Sequence, residues 1–374
     1  MVEDQDSKDT TRMNQEEIEE ITTLSKRGYQ LLKENLINGA EEYFKTILEK
    51  YPTNNYALVG LGDVERKRRN FRKALSFYNS CLNNYPNNNY AHFGAADCYK
   101  ALNKLEEAIS SWKHYLENDP NNVTVLSRIA DSYRRLKNFP SSKQSYLQVL
   151  DIQPTNNYAL IGLGYLHFDF HEFELALKYW EEMYTVDPDG VDIRVLTSIG
   201  NCHRKLKTFD NGLVFFKKAL ELDSLNFFAL FGIADCYRGL LEYESSLVYW
   251  LKILENDPNN KIILTRTGDT YRVLKKYDMA EEYYRRALKI NFDTYAILGL
   301  ALLSKERGDY EEAIERIEKL LKNDPKNHRF YIEISKCYVE LGKPEMALKT
   351  LKQFQSLGIF NIYISTMIDK LQES

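Results

Sequence analysis

The sequence contains few of the residues that make tight turns: 17 glycines and 9 prolines among 374 residues. This scarcity argues against a turn-rich β architecture. No apolar run approaches the roughly 20 residues that span a bilayer. The polar start, MVEDQDSKDTTRMNQEE, has no basic region followed by an apolar one, as a secretion signal would. A net charge of −4 gives no overall attraction to nucleic acid or to an anionic membrane. We therefore expect a cytoplasmic protein without membrane insertion, unless a signal was removed before Met1.

Cysteine is also scarce, and its odd number leaves at least one of the five thiols unpaired. Four cysteines occupy one recurring site: Cys98, Cys202, Cys236 and Cys337. Equivalent sites in stacked helices lie about 8–10 Å apart, whereas a disulfide needs Cα atoms within about 7 Å. Only Cys81 and Cys98 could approach one another across a helix pair. Buried reduced thiols are the favoured interpretation.

One phrase occurs twice, as PTNNYALVGLG from Pro52 and as PTNNYALIGLG from Pro154. Pro86 and Pro120 divide the interval between them into three equal steps, so the phrase belongs to a repeat. Each repeat has two small residues twelve apart, such as Gly62 and Ala74. Four residues after the second small residue comes a bulky one: Phe44, Tyr78, Trp112, Tyr146, Trp180, Phe216, Trp250, Tyr284, Ile317 and Leu351.

This spacing predicts two antiparallel helices in each repeat. Apolar residues recur at steps of three and four, as expected for helices with one buried face. The small residues allow the paired helices to approach closely, and the bulky residue fills the space towards the next pair. Proline ends the second helix, because it cannot stand in a helix interior. The asparagine pairs that follow, such as Asn54-Asn55 and Asn156-Asn157, suit turns and helix caps.

The pattern resembles the tetratricopeptide repeat family, whose unit has about 34 residues and this order of small, aromatic and proline positions. The resemblance implies an all-α fold, a right-handed α-solenoid or superhelix of about ten helix-turn-helix units, with a concave groove that binds protein. We place the solenoid at residues 15–361, with units at 21–54, 55–88, 89–122, 123–156, 157–192, 193–226, 227–260, 261–293, 294–327 and 328–361. Alternate units share a distinct opening and carry no tryptophan, which indicates that a pair of units was duplicated.

The two ends differ from this body. Residues 1–14 form an acidic-leaning tail that we expect to be disordered, because it has almost no apolar surface to bury. A two-residue insertion at Asp189-Gly190 and a deletion near Asp293 fall between units, so we expect an unbroken stack. Residues 362–374 are predicted to form a capping helix. Its many apolar groups also leave open a dimerisation surface and thus a homo-oligomer formed through the C-terminal end.

No catalytic motif is present, and we expect neither an enzyme nor a cofactor. His167 and His171 have the spacing of a helical metal pair. However, His167 replaces a packing tyrosine and His171 falls in a turn, so no metal site is expected. A basic cluster occupies the turn of the second unit: Arg66, Lys67, Arg68, Arg69, Arg72 and Lys73. Solvated charge is the favoured interpretation, with docking of an acidic partner or nucleic acid as alternatives.

The candidate binding face combines positions four and seven residues apart on the first helices. We expect it to include these aromatic and glycine residues: Tyr56, Gly60, Tyr90, Gly94, Tyr158, Gly162, Phe228, Gly232 and Tyr295. A mid-helix glycine costs roughly 1 kcal/mol relative to alanine, so each should have a use. Either an aromatic ring packs on the bare backbone, or the glycine clears space for a ligand segment.

Charged residues complete this face. Asp63 with Arg66, Asp97 with Lys100, Asp131 with Arg134, Asp235 with Arg238 and Asp269 with Arg272 stand three residues apart, as do Asn201 and Arg204, and Arg128 and Arg266 replace the glycine in two units. One interpretation is a ladder of charges that holds neighbouring helices in register. The other is a row that grips a partner, in which case alanine at both Arg134 and Arg272 weakens capture at least tenfold.

The family's clamp for acidic chaperone tails is not expected, since its nearest match has Gly232 and Ile262 where asparagine and lysine belong. The sequence thus predicts a non-catalytic interaction scaffold that binds a peptide segment or a partner protein in its groove, and no nucleic acid. The alternatives are a regulatory or substrate-recruiting subunit of an enzyme complex, or a homo-oligomeric assembly module.

Overall fold

The structure, a computed structural model, describes residues 14–186 and 191–373. In these residues the chain forms 21 α-helices and no strand, so the all-α prediction is confirmed. The chain divides into two compact units, Met1–Gly190 and Val191–Ser374, which we call the N-terminal half and the C-terminal half. Most of the predicted tail and the whole predicted insertion at Asp189-Gly190 lie outside the described residues.

From α1 to α20 the helices alternate between the first and the second helix of a repeat, and the two helices of each repeat pack together as a hairpin. The N-terminal half contains α1 (Gln15–Lys33), α2 (Ile37–Lys50), α3 (Asn55–Lys67), α4 (Phe71–Asn84), α5 (Asn89–Ala101), α6 (Leu105–Asn118), α7 (Val123–Arg135), α8 (Phe139–Ile152), α9 (Asn157–Asp169) and α10 (Phe173–Val186). The C-terminal half contains α11 (Ile193–Lys205), α12 (Phe209–Leu222), α13 (Phe227–Gly239), α14 (Tyr243–Asn256), α15 (Lys261–Val273), α16 (Tyr277–Ile290), α17 (Thr294–Glu306), α18 (Tyr310–Leu321), α19 (His328–Glu340), α20 (Pro344–Gln355) and α21 (Ile362–Glu373).

Every first helix, from α1 to α19, begins after an asparagine or aspartate that caps it. The side-chain oxygen of Asn54 accepts a hydrogen bond from the Ala57 amide at 3.0 Å, and Asn156 does the same for Ala159 at 3.0 Å. These bonds satisfy an amide that has no partner inside the helix. The prediction that these asparagines cap helices is confirmed.

Two positions after the last residue of each first helix stands a residue with positive φ, which turns the chain into the second helix. Arg69 has a φ of 63° and Leu241 a φ of 66°, and two later repeats use glycine here, at Gly308 and Gly342. Behind the turn, the Asn70 amide donates to the Glu65 carbonyl at 2.9 Å, which closes the helix end. The sequence did not reveal this shared backbone conformation, because eight of the ten residues are not glycine.

The bulky residues of the second helices form the core, as predicted, and all ten are buried. Phe44 shows how one ring joins two repeats. A Cβ atom built at Gly28 in its own repeat would stand 2.8 Å from this ring, and one at Gly60 in the next repeat would stand 2.5 Å away. The ring therefore lies between two bare backbones, and the same arrangement surrounds Tyr78, Phe216 and Tyr284.

The last described helix covers the last hairpin. Ile364 and Ile368 of α21 are buried against a cluster that includes Tyr331 and Phe354. This contact agrees with the predicted capping helix. On the other side of the same segment, Phe360, Ile362 and Tyr363 remain exposed.

Candidate functional site

The second residue of six first helices is a large apolar side chain that remains exposed. Tyr56, Tyr90 and Tyr158 in the N-terminal half expose 44%, 67% and 80% of their surface. Phe228, Ile262 and Tyr295 in the C-terminal half expose 65%, 62% and 69%. We call these two sets the aromatic columns, although Ile262 is aliphatic. The bulky rings of the second helices are buried in the core, whereas the side chains at this position of the first helices are not part of the core.

Ion pairs link neighbouring first helices in the N-terminal half, beginning with α3 and α5. Arg66 Nη2 lies 2.7 Å from Asp63 Oδ1 in its own helix, and Arg66 Nη1 lies 3.5 Å from Asp97 Oδ2 in the next first helix. Arg128 of α7 also pairs with Asp97. The Tyr78 hydroxyl donates to Asp63 at 2.8 Å, so the ladder is fixed to the buried core.

The same ladder continues from α5 to α9. Lys100 Nζ lies 3.6 Å from Asp131 Oδ2. Arg134 Nη2 lies 3.1 Å from Asp131 Oδ1, and Arg134 Nη1 lies 2.7 Å from Asp169 Oδ2. The Arg134 guanidinium also stands over the Tyr165 ring, 5.7 Å from its centroid. The N-terminal ladder thus joins four carboxylates to four cations, and its charges balance.

In the C-terminal half the ladder begins at Arg204 of α11. Arg204 Nε and Nη2 each donate a hydrogen bond of 3.2 Å to Asn201 Oδ1. Arg204 Nη1 lies 2.7 Å from Asp235 Oδ2. The other oxygen, Asp235 Oδ1, lies 2.6 Å from Arg238 Nη2. Burial alone would raise the pKa of the Asp235 carboxyl, but the two arginines outweigh burial and lower that pKa below its ordinary value.

The remaining pairs of the C-terminal half lie farther along the chain. Arg272 Nη1 lies 2.5 Å from Glu306 Oε1, and Glu333 holds both Lys305 at 2.6 Å and Lys336 at 3.0 Å. Neither glutamate stands at the aspartate position of the other repeats, since Glu306 follows that position by four residues and Glu333 precedes it by three, and the regular spacing therefore did not reveal them. Asp169 likewise follows its position, Tyr165, by four residues. A search for acidic residues 28 to 35 positions after each cation would have found them.

Two of the predicted pairs within one helix are wrong. Asp97 accepts from the arginines of α3 and α7, and Lys100 reaches Asp131 instead. Asp269 accepts a hydrogen bond from the Tyr284 hydroxyl at 2.7 Å, whereas Arg272 pairs with Glu306. In both cases the neighbouring helix offers a partner that competes with the one three residues away.

The predicted face glycines are buried under aromatic rings of the preceding repeat. A Cβ atom at Gly94 would overlap Tyr78, one at Gly162 would overlap Tyr146, and one at Gly232 would overlap Phe216. Of the two uses that the sequence left open, packing accounts for these contacts. Burial, together with the nearby Asp131, raises the pKa of Tyr146 to about 12.

The two histidines of the suspected metal pair do not converge. His167 is buried, its Nδ1 lies 2.5 Å from Glu172 Oε2, and its ring stacks on Tyr179. His171 is exposed at the turn position with a φ of 62°. Residues 14–186 and 191–373 contain no group of three or more histidine, cysteine or acidic side chains placed to hold a metal ion.

The five cysteines are buried and none forms a disulfide, which agrees with the expected thiols. Burial raises the pKa of Cys81 and of Cys98 to about 12. At physiological pH these thiols stay protonated and therefore unreactive.

Three of the six cations in the basic cluster of the second repeat, Arg66, Arg68 and Lys73, pair with acidic side chains. Glu65 is buried at its centre, 3.2 Å from Arg68 and 2.8 Å from Lys73, and it accepts from Asn70 at 2.8 Å. Arg68 also lies 2.6 Å from Glu41. These contacts favour a structural role for the cluster over a docking patch.

No helix in the described part of the chain is both long and apolar enough to cross a membrane. No curated protein matches the sequence. Solved structures of similar fold include two tetratricopeptide repeat proteins. The C-terminal part of a TPR repeat-containing protein from Cytophaga hutchinsonii superposes with a TM-score of 0.57 at 18% identity, covering 65% of this chain and 99% of that one. A tetratricopeptide repeat protein from Parabacteroides merdae gives 0.50 at 17% identity, covering 67% and 99%.

Family models described as tetratricopeptide repeat match residues 26–89, 90–122 and 305–354. A further model of this description matches residues 123–156, 193–224 and 263–294, which are the alternate repeats that share an opening in the sequence. Together the matched segments cover more than half of the chain, and they agree with the helical hairpins described above. This chain therefore belongs to the tetratricopeptide repeat family.

Proposed function

We propose that the chain is a non-catalytic scaffold that binds a peptide segment or a partner protein along its first helices. The aromatic columns carry this proposal. Large apolar side chains at one repeat position stay exposed in six helices, where they are available to a partner. Tyrosine and phenylalanine bury much apolar area with little loss of side-chain freedom, and tyrosine is among the residues that dominate binding energy at protein interfaces.

The ion-pair ladder makes the first helices that carry these columns a rigid binding surface. Its cations are engaged with carboxylates of neighbouring first helices, for example Arg134 with Asp131 and Asp169. Such pairs, partly shielded from water, hold adjacent helices in register more than exposed pairs do. The glycines serve the same platform, since each accommodates a ring of the preceding repeat.

Affinity capture from native extract tests the proposal with paired variants. Tyr90→Ala with Tyr158→Ala removes two side chains of one column, and Phe228→Ala with Tyr295→Ala removes two of the other. We expect at least one of these variants to recover its partners about tenfold less well. Helical content should be unchanged, because the four side chains are exposed.

The matched control is Leu222→Ala with Val248→Ala. These side chains expose 62% and 61% of their surface, but they lie on the second helices α12 and α14. We expect this variant to recover partners as well as the wild type does. Equal losses in control and column variants would contradict binding at the first helices.

The variant Arg134→Ala with Arg272→Ala separates the two interpretations of the ladder. If the ladder only sets the register, the variant loses stability and its partner recovery at low temperature stays unchanged. If the arginines also grip the partner, recovery falls at least tenfold while the helical content holds.

The exposed residues near the C-terminal helix favour self-association as a second candidate function. Phe360, Ile362 and Tyr363 expose 82%, 64% and 71% of their surface, and they lie next to each other at the start of α21. Sedimentation equilibrium of the wild type and of Phe360→Ser with Tyr363→Ser tests this. A monomer in both proteins at all concentrations would contradict it.

A further inference from the structure

The three tyrosines of the aromatic column in the N-terminal half occupy one sequence motif. Each follows two asparagines, as Asn54-Asn55-Tyr56, Asn88-Asn89-Tyr90 and Asn156-Asn157-Tyr158. The first asparagine of each motif caps the helix, and the alanine after the tyrosine is fully buried. Because the cap and the buried alanine fix the backbone on both sides of the tyrosine, each ring leaves the repeat from the same place.

These three rings are isolated apolar groups. Among the described residues of α3, α5, α7 and α9, they are the only large apolar side chains that are exposed. Four positions after each tyrosine stands a buried glycine that a ring of the preceding repeat covers, and seven positions after Tyr56 and Tyr90 stands an aspartate of the ladder. A partner therefore meets single apolar contacts separated by polar surface. An amphipathic helix, whose apolar residues recur at steps of three and four, needs a continuous apolar groove instead.

The ladder beside these rings offers no net charge to a partner. Its four cations are paired with its four carboxylates, as Arg66 is with Asp63 and Asp97. A charged group of a partner would have to displace one of these pairs or lie beside a charge of its own sign. Charge complementarity therefore favours an uncharged segment.

The spacing of the rings matches one backbone conformation. α3 packs against α5 and α7 against α9, and the ion pairs of Asp97 and Asp131 join α5 to α7. Neighbouring first helices, and equivalent side chains on them, therefore stand about 8–10 Å apart. Three residues of a polyproline II helix advance about 9.3 Å and return to the same face of that helix. In a β-strand, by contrast, residues three apart point to opposite faces.

The chemistry of the rings fits the same conformation. A polyproline II segment has no internal hydrogen bonds, so its backbone carbonyls are free to accept, and its prolines have no N–H to donate. The face of a tyrosine ring packs on a proline, while the tyrosine hydroxyl donates to a carbonyl. In the C-terminal half only Tyr295 of the column has a hydroxyl, since the other two residues are Phe228 and Ile262.

We propose that the N-terminal half binds an uncharged, proline-rich segment in the polyproline II conformation, with one proline on each tyrosine of the column. The prolines that contact Tyr56 and Tyr90 are three residues apart in this segment. Those that contact Tyr90 and Tyr158 are six apart, because the exposed Thr124 takes the tyrosine position of the intervening repeat. The proposal rests on the proposed scaffold function and specifies its partner.

Two labelled peptides of identical composition test the spacing against the full chain by fluorescence anisotropy. Each has four prolines and nine glutamines, with proline at every third position in one peptide and at every fourth position in the other. We expect the first to bind at least about fivefold more tightly, because only its prolines share one face of a polyproline II helix. Its affinity should change less than about twofold between about 50 mM and about 300 mM NaCl, because no ion pair forms that salt could screen.

Two variants at the column position locate the site, and we expect them to act in opposite directions. Tyr90→Ala should weaken binding of the peptide with proline at every third position at least about fivefold. Thr124→Tyr supplies the missing ring and should strengthen this binding at least about threefold. The matched control is Leu175→Ala on the second helix α10, since Leu175 exposes 44% of its surface, as Tyr56 does, and its loss should change binding less than about twofold. Circular dichroism melting of each variant checks that the fold is intact.

Several results would overturn the proposal. They are equal or tighter binding of the peptide with proline at every fourth position, no binding of either peptide, weaker binding by Thr124→Tyr, or an effect of Leu175→Ala as large as that of Tyr90→Ala. Tighter binding of an alanine-based helical peptide with leucine at every seventh position would select a helical partner instead. If neither proline peptide binds while Tyr90→Ala with Tyr158→Ala loses partners in the capture experiment, the scaffold function stands and only the proline-rich partner is excluded.

Discussion

Replacing Gly94 by alanine forces a methyl group into the ring of Tyr78. The added Cβ atom would stand 2.5 Å from Cε1 and 2.6 Å from the hydroxyl oxygen of that ring. Ordinary contacts between such atoms are about 3.5–4.0 Å, so the ring or the helix must move by about 1 Å. The ring has little freedom to move, because it is fully buried and its hydroxyl donates to Asp63 at 2.8 Å.

The magnitude follows from two opposing effects. Alanine in place of a mid-helix glycine gains about 1 kcal/mol in helix propensity. Overpacking a well-filled core costs about 1–3 kcal/mol, and disturbing the hydroxyl's hydrogen bonds with Asp63 and Arg66 costs about 1 kcal/mol for each bond. We therefore expect Gly94→Ala to lower the free energy of unfolding by about 2–4 kcal/mol.

Urea unfolding followed by far-UV circular dichroism measures this change, and Gly39→Ala is the matched control. A Cβ atom at Gly39 in α2 meets only Leu31, at 3.4 Å, so this variant should gain up to about 1 kcal/mol. The two variants should therefore shift the unfolding midpoint in opposite directions. If Gly94→Ala stabilises the protein as Gly39→Ala does, the packing argument is refuted and the glycine is available for ligand clearance.

Three further predictions concern other parts of the chain. Leu241→Gly should stabilise the protein by about 1 kcal/mol in urea unfolding, because Leu241 is exposed with a φ of 66°, whereas Leu240→Gly, at a φ of −81°, should not stabilise it. Asp235→Asn should cost about 2 kcal/mol at neutral pH. Because the folded pKa of Asp235 is lowered, its contribution is present above the ordinary value of 3.8 and is lost as pH falls through the folded pKa, so acid titrations of wild type and variant should converge. Truncation after Gly358 should uncover the site of Ile364 and cause association or fraying in hydrogen exchange, whereas an identical melting curve and a monomer would contradict a cap.

The repeat itself was predictable from the sequence, because its signals are local and recur ten times. The asparagine that caps a helix, the bulky residue that the core encloses and the residues that allow close packing each stand at a fixed offset within one repeat. Phe44 illustrates this, since its buried position follows from the apolar spacing alone. The exception at this level is the positive φ at the first turn, which residues such as Arg69 adopt without a glycine to announce it.

The charged part of the candidate site was predictable only in part. Helix geometry brings Asp63 and Arg66 together, and the same geometry would allow Asp97 to meet Lys100. The second pair does not form, because arginines from both neighbouring helices reach Asp97. Which acceptor a long cation takes depends on competition among groups that lie about one repeat apart in the chain.

The number of repeats, their helices, their caps and the residues of the core could all be read from the sequence, because each depends on contacts within a helix or on the periodic burial of one face. Only the packed structure shows which carboxylate each cation binds and which ring covers Gly94. It also shows that, among the described residues, Arg266 pairs with no carboxylate while Arg128 has one. These outcomes depend on the packing of neighbouring repeats, where side-chain reach and the limited number of carboxylate oxygens select among partners that the sequence makes equally available.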